Sequence, residues 1–253
     1  MFLRPFIERK LPGLIALLLM TTLLSAVLVF YSQADLNGPV SDFSGMLFSL
    51  LTHSAGNPGF LVTVGLFMMI PVIMKLPRKT LIKLGTQFAL LLALSFIAKT
   101  VMKHITEVPR PYTHQLQALD IVETPDAFYT LSHIEKDEAV KQASESVSHW
   151  RITHWQGETN YSLPSGHTIF AAVCVAFWGG FFLRRRQFIP VGIIITWAVS
   201  VGISRIWLGM HWPTDLLASI FGAACLYLCI PEWRVLPAKM AEQTQQQTFQ
   251  ETK

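Results

Sequence analysis

A series of long apolar runs constrains this chain more than any other feature. A helix that crosses a bilayer needs roughly 20 mainly apolar residues. The 253-residue chain is 51% hydrophobic and only 14% charged, whereas soluble domains carry about 25% charged residues. Six runs reach or approach spanning length, at residues 12–31, 58–74, 81–101, 166–183, 187–206 and 214–230. We therefore expect an all-α membrane protein with six transmembrane helices.

The whole chain, 1–253, is predicted to form one six-span domain, oriented by its basic residues. Cytoplasmic loops are enriched in Lys and Arg. These residues cluster before the first run, after the second and after the fourth, at Arg4, Arg9, Lys10, Lys75, Arg78, Lys79, Lys83, Arg184, Arg185 and Arg186. The segment 32–57 has none, and 103–163 has more acids than bases. We expect both segments to lie outside as loops, with cytoplasmic termini and a disordered Gln-rich tail over 241–253.

The 103–163 segment is too long for a simple connection, since loops beyond roughly 15 residues are usually functional or partly structured. Its stretch 126–148 favours helix, so we expect one or two short surface helices there. The segment is therefore predicted to form a small helical extracytoplasmic cap, which also contains the first of three polar motifs.

The first motif consists of two cations, Lys103 and Arg110, directly after the third run. Arg can bind a phosphate through two parallel hydrogen bonds, while Lys acts as a movable point charge. Alternatively, both are ordinary basic residues that flank a span and whose side chains reach the membrane interface.

The second motif begins the fourth run. Ser165 can cap the helix, and the free backbone N–H groups at the helix N-terminus would then form an anion site. His167 follows and could donate a proton. The same sequence is also compatible with a plain helix cap.

The third motif joins the fifth and sixth runs. Arg205 ends one run, and His211 and Asp215 stand four apart at the start of the next, on one helical face. The carboxylate can accept the imidazole N–H and fix its tautomer. The alternative is a His–Asp pair at the membrane interface with no catalytic role.

Together the motifs supply what phosphoryl transfer needs: cations, a nucleophile and a proton donor. One alternative is a lipid-phosphate binding or transport protein with the same cationic pocket. Another is a metal hydrolase built from His167, His211 and Asp215, with His104 or His114 nearby. Nucleic acid is not expected as a partner, because the basic residues are too dispersed.

The three motifs resemble the complete signature of the type-2 phosphatidic acid phosphatase superfamily. Its parts here are Lys103-x6-Arg110-Pro111, Pro164-Ser165-Gly166-His167 and Ser204-Arg205-x5-His211-x3-Asp215. The stretches 126–131 and 154–158 are similar to its bacterial phosphatidylglycerophosphatase branch. The closer resemblance covers residues from about 99 to 215. Lys99 lies one turn before Lys103 and is interpreted as a base that reaches the membrane interface.

The resemblance implies a six-helix enzyme that uses neither metal nor cofactor and works through a phosphohistidine. His211 would be the nucleophile, Asp215 its orienting acid, and His167 the general acid for the leaving group and later the base for water. The phosphate would be bound by Lys103, Arg110, Ser165, Gly166 and Arg205.

The resemblance also implies the substrates and the location. Phosphatidylglycerol phosphate leads, followed by undecaprenyl diphosphate, phosphatidic acid and diacylglycerol pyrophosphate, with no obligate protein partner. The site would lie at the periplasmic face of a bacterial inner membrane. The soluble vanadium haloperoxidases of the superfamily do not match a mean hydropathy of +0.42.

Overall fold

The computed structural model describes residues 3–231, and within them every regular element is a helix. The predicted disordered tail, 241–253, lies outside the described residues. The elements are α1 (Leu3–Phe30), α2 (Asp42–Ala55), α3 (Phe60–Ile73), α4 (Arg78–Thr106), α5 (Pro111–Ala118), α6 (Ala127–Thr130), α7 (His133–Gln142), α8 (His149–Trp155), α9 (Gly166–Cys174), α10 (Gly180–Leu183), α11 (Phe188–Trp207) and α12 (Pro213–Cys229), with a 3-10 turn at Ala143–Glu145 and a π-helical turn at Val175–Gly179.

Four helical segments in the described part are long and apolar enough to cross a membrane. They are Ile7–Phe30, Arg78–Thr106, the continuous helix Gly166–Leu183, and Phe188–Trp207. The pair α2 and α3 makes a fifth if it is counted as one bent span, and α12 is apolar but has only 17 residues. The expected all-helical membrane protein is therefore confirmed at this level.

The segment 32–57, interpreted above as a loop, contains the helix α2. Ser41 caps it by accepting a hydrogen bond from the Ser44 amide at 3.2 Å. The helix ends at Ala55, with Gly56 as its C-cap, because Pro58 cannot continue it. α3 follows at an angle of 64° to α2. The predicted second span at 58–74 corresponds to α3, which has 14 residues.

The helix from Gly166 to Leu183 is the centre of the membrane domain: 83% of its residues are buried, against 33% and 28% of the residues in 18-residue apolar stretches of α1 and α4. Close helix packing makes this possible. A Cβ atom on Gly180 would lie 2.9 Å from Gly13 Cα of α1. The central helix is thus held firmly, and its N-terminal end carries the second motif.

The short helices α5 to α8 pack around a hydrophobic cluster of their own. Tyr112 and Trp155 are fully buried and stack with ring centroids 4.9 Å apart. Trp155 Nε1 also donates to the Leu208 carbonyl at 2.6 Å, which ties the cluster to the end of α11. The predicted stretch 126–148 contains α6 and α7.

Candidate active site

The residues of the three motifs converge at one end of the bundle, around a cavity of about 510 Å³. Lys103, Gly166, His167 and His211 line this cavity directly. The other four predicted site residues are buried next to the cavity: Arg110, Ser165, Arg205 and Asp215. Arg110 and Arg205 contact Glu158, and Asp215 contacts His211, both of which line the cavity, while Ser165 directly precedes Gly166.

His211 and Asp215 form a buried pair. His211 Nδ1 lies 3.4 Å from Asp215 Oδ2, and both side chains are 1% exposed. The same Oδ2 accepts the Trp212 amide at 2.8 Å and the Ser162 hydroxyl. Ser162 Oγ lies 3.3 Å from His211 Nδ1 as well. These contacts engage Nδ1 and leave Nε2 as the ring nitrogen available for chemistry.

Burial holds the pKa of His211 well below its ordinary value, and the positive charges of Arg110 and Arg205 lower it further. The desolvated imidazole is therefore neutral at neutral pH. A neutral ring with Nδ1 next to a carboxylate carries its lone pair on Nε2, as a nucleophile requires.

The two arginines differ in how many of their hydrogen bonds are made. Arg110 makes four hydrogen bonds: Nε donates to the Asn160 carbonyl at 2.7 Å, Nη1 to the Met210 carbonyl at 3.2 Å, and Nη2 to Asn160 Oδ1 at 2.6 Å and to Glu158 Oε2 at 3.0 Å. Arg205 Nη1 donates to Thr52 Oγ1. Its Nε and Nη2 are buried and have no hydrogen-bond partner in the described part of the chain.

Glu158 lies between the two arginines. Its Oε2 is 3.0 Å from Arg110 Nη2 and 3.6 Å from Arg205 Nη2. Burial by itself raises the pKa of Glu158, but the two guanidinium groups together hold it well below its usual range. An ionised carboxylate thus occupies a position suited to phosphate oxygens. In the sequence, Glu158 stands out only as part of the stretch 154–158, which is similar to the bacterial phosphatidylglycerophosphatase branch.

Two lysines of α4 line the cavity. Lys103 is 8% exposed, and its Nζ donates to Asn160 Oδ1 at 3.2 Å and to the Tyr161 carbonyl. Lys99, expected at the membrane interface, also lines the cavity. Its Cδ would lie 2.6 Å from a Cβ on Gly166, so the absence of a side chain at Gly166 lets Lys99 approach the helix end.

Ser165 caps α9, as its position predicts. Its Oγ accepts from the Thr168 amide at 3.4 Å and from Thr168 Oγ1 at 3.0 Å. Its own amide donates to Ser219 Oγ at 2.9 Å. Both groups therefore bond within the protein, and Gly166 is the member of this pair that lines the cavity.

His167 packs against the turn between α2 and α3. A Cβ on Gly56 would lie only 2.0 Å from His167 Nε2, so this close approach requires glycine. The contact brings the end of α2, a helix in a segment expected to be a loop, to the edge of the cavity.

The metal alternative finds no support in the ligand geometry. Within residues 3–231, no group of three His, Cys, Asp or Glu side chains is arranged to hold a metal ion. The set proposed from His167, His211 and Asp215, with His104 or His114, therefore does not form a ligand cluster.

Comparison with known proteins gives a family and a set of relatives. Residues 84–235, more than half of the chain, match the model of the PAP2 superfamily. Phosphatidylglycerophosphatase B of Escherichia coli K12 is 35% identical over 138 residues, which cover 52% of this chain and 54% of the relative. The protein of the same name from Haemophilus influenzae is 35% identical over 180 residues, covering 67% and 73%. The chain thus matches about half the length of the Escherichia coli relative.

Proposed function

This chain belongs to the PAP2 superfamily, and from that premise we propose that it is a membrane phosphatase of lipid phosphates. Its leading substrate is phosphatidylglycerol phosphate, which fits the names of the relatives. Undecaprenyl diphosphate, phosphatidic acid and diacylglycerol pyrophosphate are further substrates, since each presents a terminal phosphate. These lipids keep their chains in the bilayer while the phosphate enters the cavity.

One observation carries this proposal: the contact of His211 Nδ1 with Asp215 Oδ2 beside a cavity that Lys103 and His167 also line. Lipid-phosphate binding or transport needs cations, but it has no need of an imidazole oriented by a buried carboxylate. Nucleophilic catalysis by histidine uses the cations and also the imidazole that the carboxylate orients.

The reaction has two steps. His211 Nε2 attacks phosphorus, the bond from phosphorus to the lipid oxygen breaks, and His167 donates its proton to the leaving alkoxide. Water then attacks the phosphohistidine, His167 takes a proton from it, and the bond from phosphorus to Nε2 breaks. Inorganic phosphate leaves, and both imidazoles return to their starting states.

Charge stabilisation comes from the cations around the cavity. Arg110 and Arg205 offer planar N–H donors to the equatorial oxygens, and Lys103 and the Gly166 amide at the helix N-terminus add to them. Ser165 supports this end of the site by capping α9. The proposed chemistry requires neither a metal nor a cofactor.

We further propose six crossings, with α3 and α12 as the two short ones, and both termini in the cytoplasm. Two contacts support a common side for the basic segments and the chain ends. Arg184 Nη1 donates to the Arg9 carbonyl at 2.9 Å, and Lys10 Nζ donates to the Ile230 carbonyl at 2.6 Å. By the positive-inside rule this end is cytoplasmic, so the cavity and the α5–α8 cap face the periplasm of the bacterial inner membrane.

The test is phosphate release by purified protein from a panel of lipid phosphates and diphosphates, with excess chelator. We expect wild-type turnover, no turnover for His211→Ala, and wild-type turnover for a matched control, His133→Ala, on the exposed surface of α7. Lipid binding without phosphate release would favour the binding protein. Activity lost in chelator and restored by a divalent cation would favour the metal hydrolase.

A further inference from the structure

We propose that Thr52 of α2 is a positioning residue, which holds Arg205 in the orientation that binds the substrate's phosphate. The inference rests on the proposed function. It adds to the three motifs a residue from a part of the chain that carries none of them.

The hydrogen bonds of Arg205 separate its guanidinium into two edges. Nη1 donates to Thr52 Oγ1, and Arg205 is only 1% exposed. Nε and Nη2 form the other edge and are buried with no hydrogen-bond partner among residues 3–231. Buried donors are rarely left unpaired, and this edge matches two oxygens of a phosphate. We therefore assign Nε and Nη2 to the ligand and Nη1 to Thr52.

Thr52 also restrains Arg205 from closing its ion pair with Glu158 into a hydrogen bond. Arg205 Nη2 lies 3.6 Å from Glu158 Oε2, beyond normal hydrogen-bond distance. A small rotation would close that gap and occupy the binding edge with a carboxylate. The bond from Nη1 to Thr52 opposes this rotation, so the free edge is ordered before the substrate arrives.

The placement of the hydroxyl groups on α2 supports a specific role for Thr52. Exposed apolar side chains such as Phe43 and Leu50 cover one part of this helix, whereas Thr52 is 1% exposed. Ser49 bonds to His154 of the cap at 2.9 Å, and Ser54 accepts from Trp197 Nε1 of α11 at 2.8 Å. Of these three hydroxyls, the one on Thr52 reaches the phosphate-binding arginine.

The test compares Thr52→Val, which keeps the side-chain shape and removes the acceptor, with Thr52→Ser, which keeps the hydroxyl. We expect kcat/KM of Thr52→Val to fall about tenfold, the effect of one hydrogen bond to a charged group, and Thr52→Ser to stay near wild type. Ser54→Ala is the matched control, because it removes another bond between α2 and α11. It should leave kcat/KM unchanged.

A second measurement needs no turnover: the rise in melting temperature that inorganic phosphate produces. We expect a smaller rise for Thr52→Val than for wild type, and no further reduction when Thr52→Val is added to Arg205→Gln. An unchanged kcat/KM and phosphate response in Thr52→Val, or equal losses in Ser54→Ala, would overturn the positioning role.

The two measurements separate this inference from the proposed function. If wild-type protein releases no phosphate from any lipid, the proposed function fails, and the phosphate response still decides the role of Thr52. A wild-type protein with neither turnover nor a phosphate response contradicts both.

Discussion

Replacing Asp215 by Asn tests how much the buried carboxylate contributes to the reactivity of His211. Asn can place its amide oxygen where Oδ2 lies and keep the bond from the Trp212 amide, which is 2.8 Å long. The variant therefore removes the negative charge while it preserves the shape. That charge stabilises the positive imidazole ring that forms as Nε2 attacks phosphorus.

The expected loss follows from the length of the contact. A hydrogen bond to a charged group contributes about 1.5–3 kcal/mol. The distance from His211 Nδ1 to Asp215 Oδ2 is 3.4 Å, longer than the roughly 2.7–2.9 Å of strong charge-assisted bonds. We therefore take the lower end, about 1.5–2 kcal/mol, which predicts that kcat falls about 10- to 30-fold.

The assay is steady-state phosphate release in detergent micelles, with the melting temperature measured to show that the variant is folded. The matched variant is His211→Ala, for which we expect no turnover. An unchanged kcat in Asp215→Asn would refute the contribution of the negative charge to the reactivity of His211. A loss as complete as that of His211→Ala would show that Asp215 does more than orient the ring.

Three further predictions concern the cavity. The pKa of His211 is held well below the ordinary 6.5, so the ring stays neutral and reactive as the pH falls through 6.5. In a pH profile of kcat/KM, the loss of activity on the acid side should therefore begin below pH 6.5. Gly56→Ala should lower kcat roughly 100-fold, the scale of a 1 Å misplacement, because its Cβ would lie 2.0 Å from His167 Nε2; kcat near wild type would refute this constraint. Glu158→Gln should lower KM up to about fivefold, the scale of a partly exposed ion pair, because the carboxylate no longer competes with phosphate for Arg110 and Arg205; a raised KM in the steady-state assay would contradict this.

The long apolar helices could be predicted from the sequence because a bilayer demands a minimum length of apolar chain. Shorter helices could not be predicted in this way. α2 has 14 residues, below any spanning length, and its hydroxyl groups make it resemble a polar loop. Thr52 in this helix and Gly56 directly after it acquire their roles only from contacts with residues far along the chain.

The motif residues of the candidate site could likewise be predicted from the sequence, because they match the motif spacing of the superfamily and because charged residues are scarce in this chain. Their partners could not. Asn160 and Ser162 lie in an irregular segment between the cap and α9, and long-range contacts position them against Arg110 and Asp215. The sequence does not reveal that Lys99 lines the cavity, because a position on a helix does not tell whether its side chain faces a cavity or lipid.

The most direct test of the central claim is to trap the enzyme during turnover. Wild-type protein would be mixed with a lipid phosphate carrying a radioactive terminal phosphate and quenched in alkali within one turnover. We predict an alkali-stable, acid-labile label on the peptide that contains His211, and no label on His211→Ala. Turnover without any label on wild-type protein, or a label that persists in His211→Ala, would contradict a phosphohistidine at this residue.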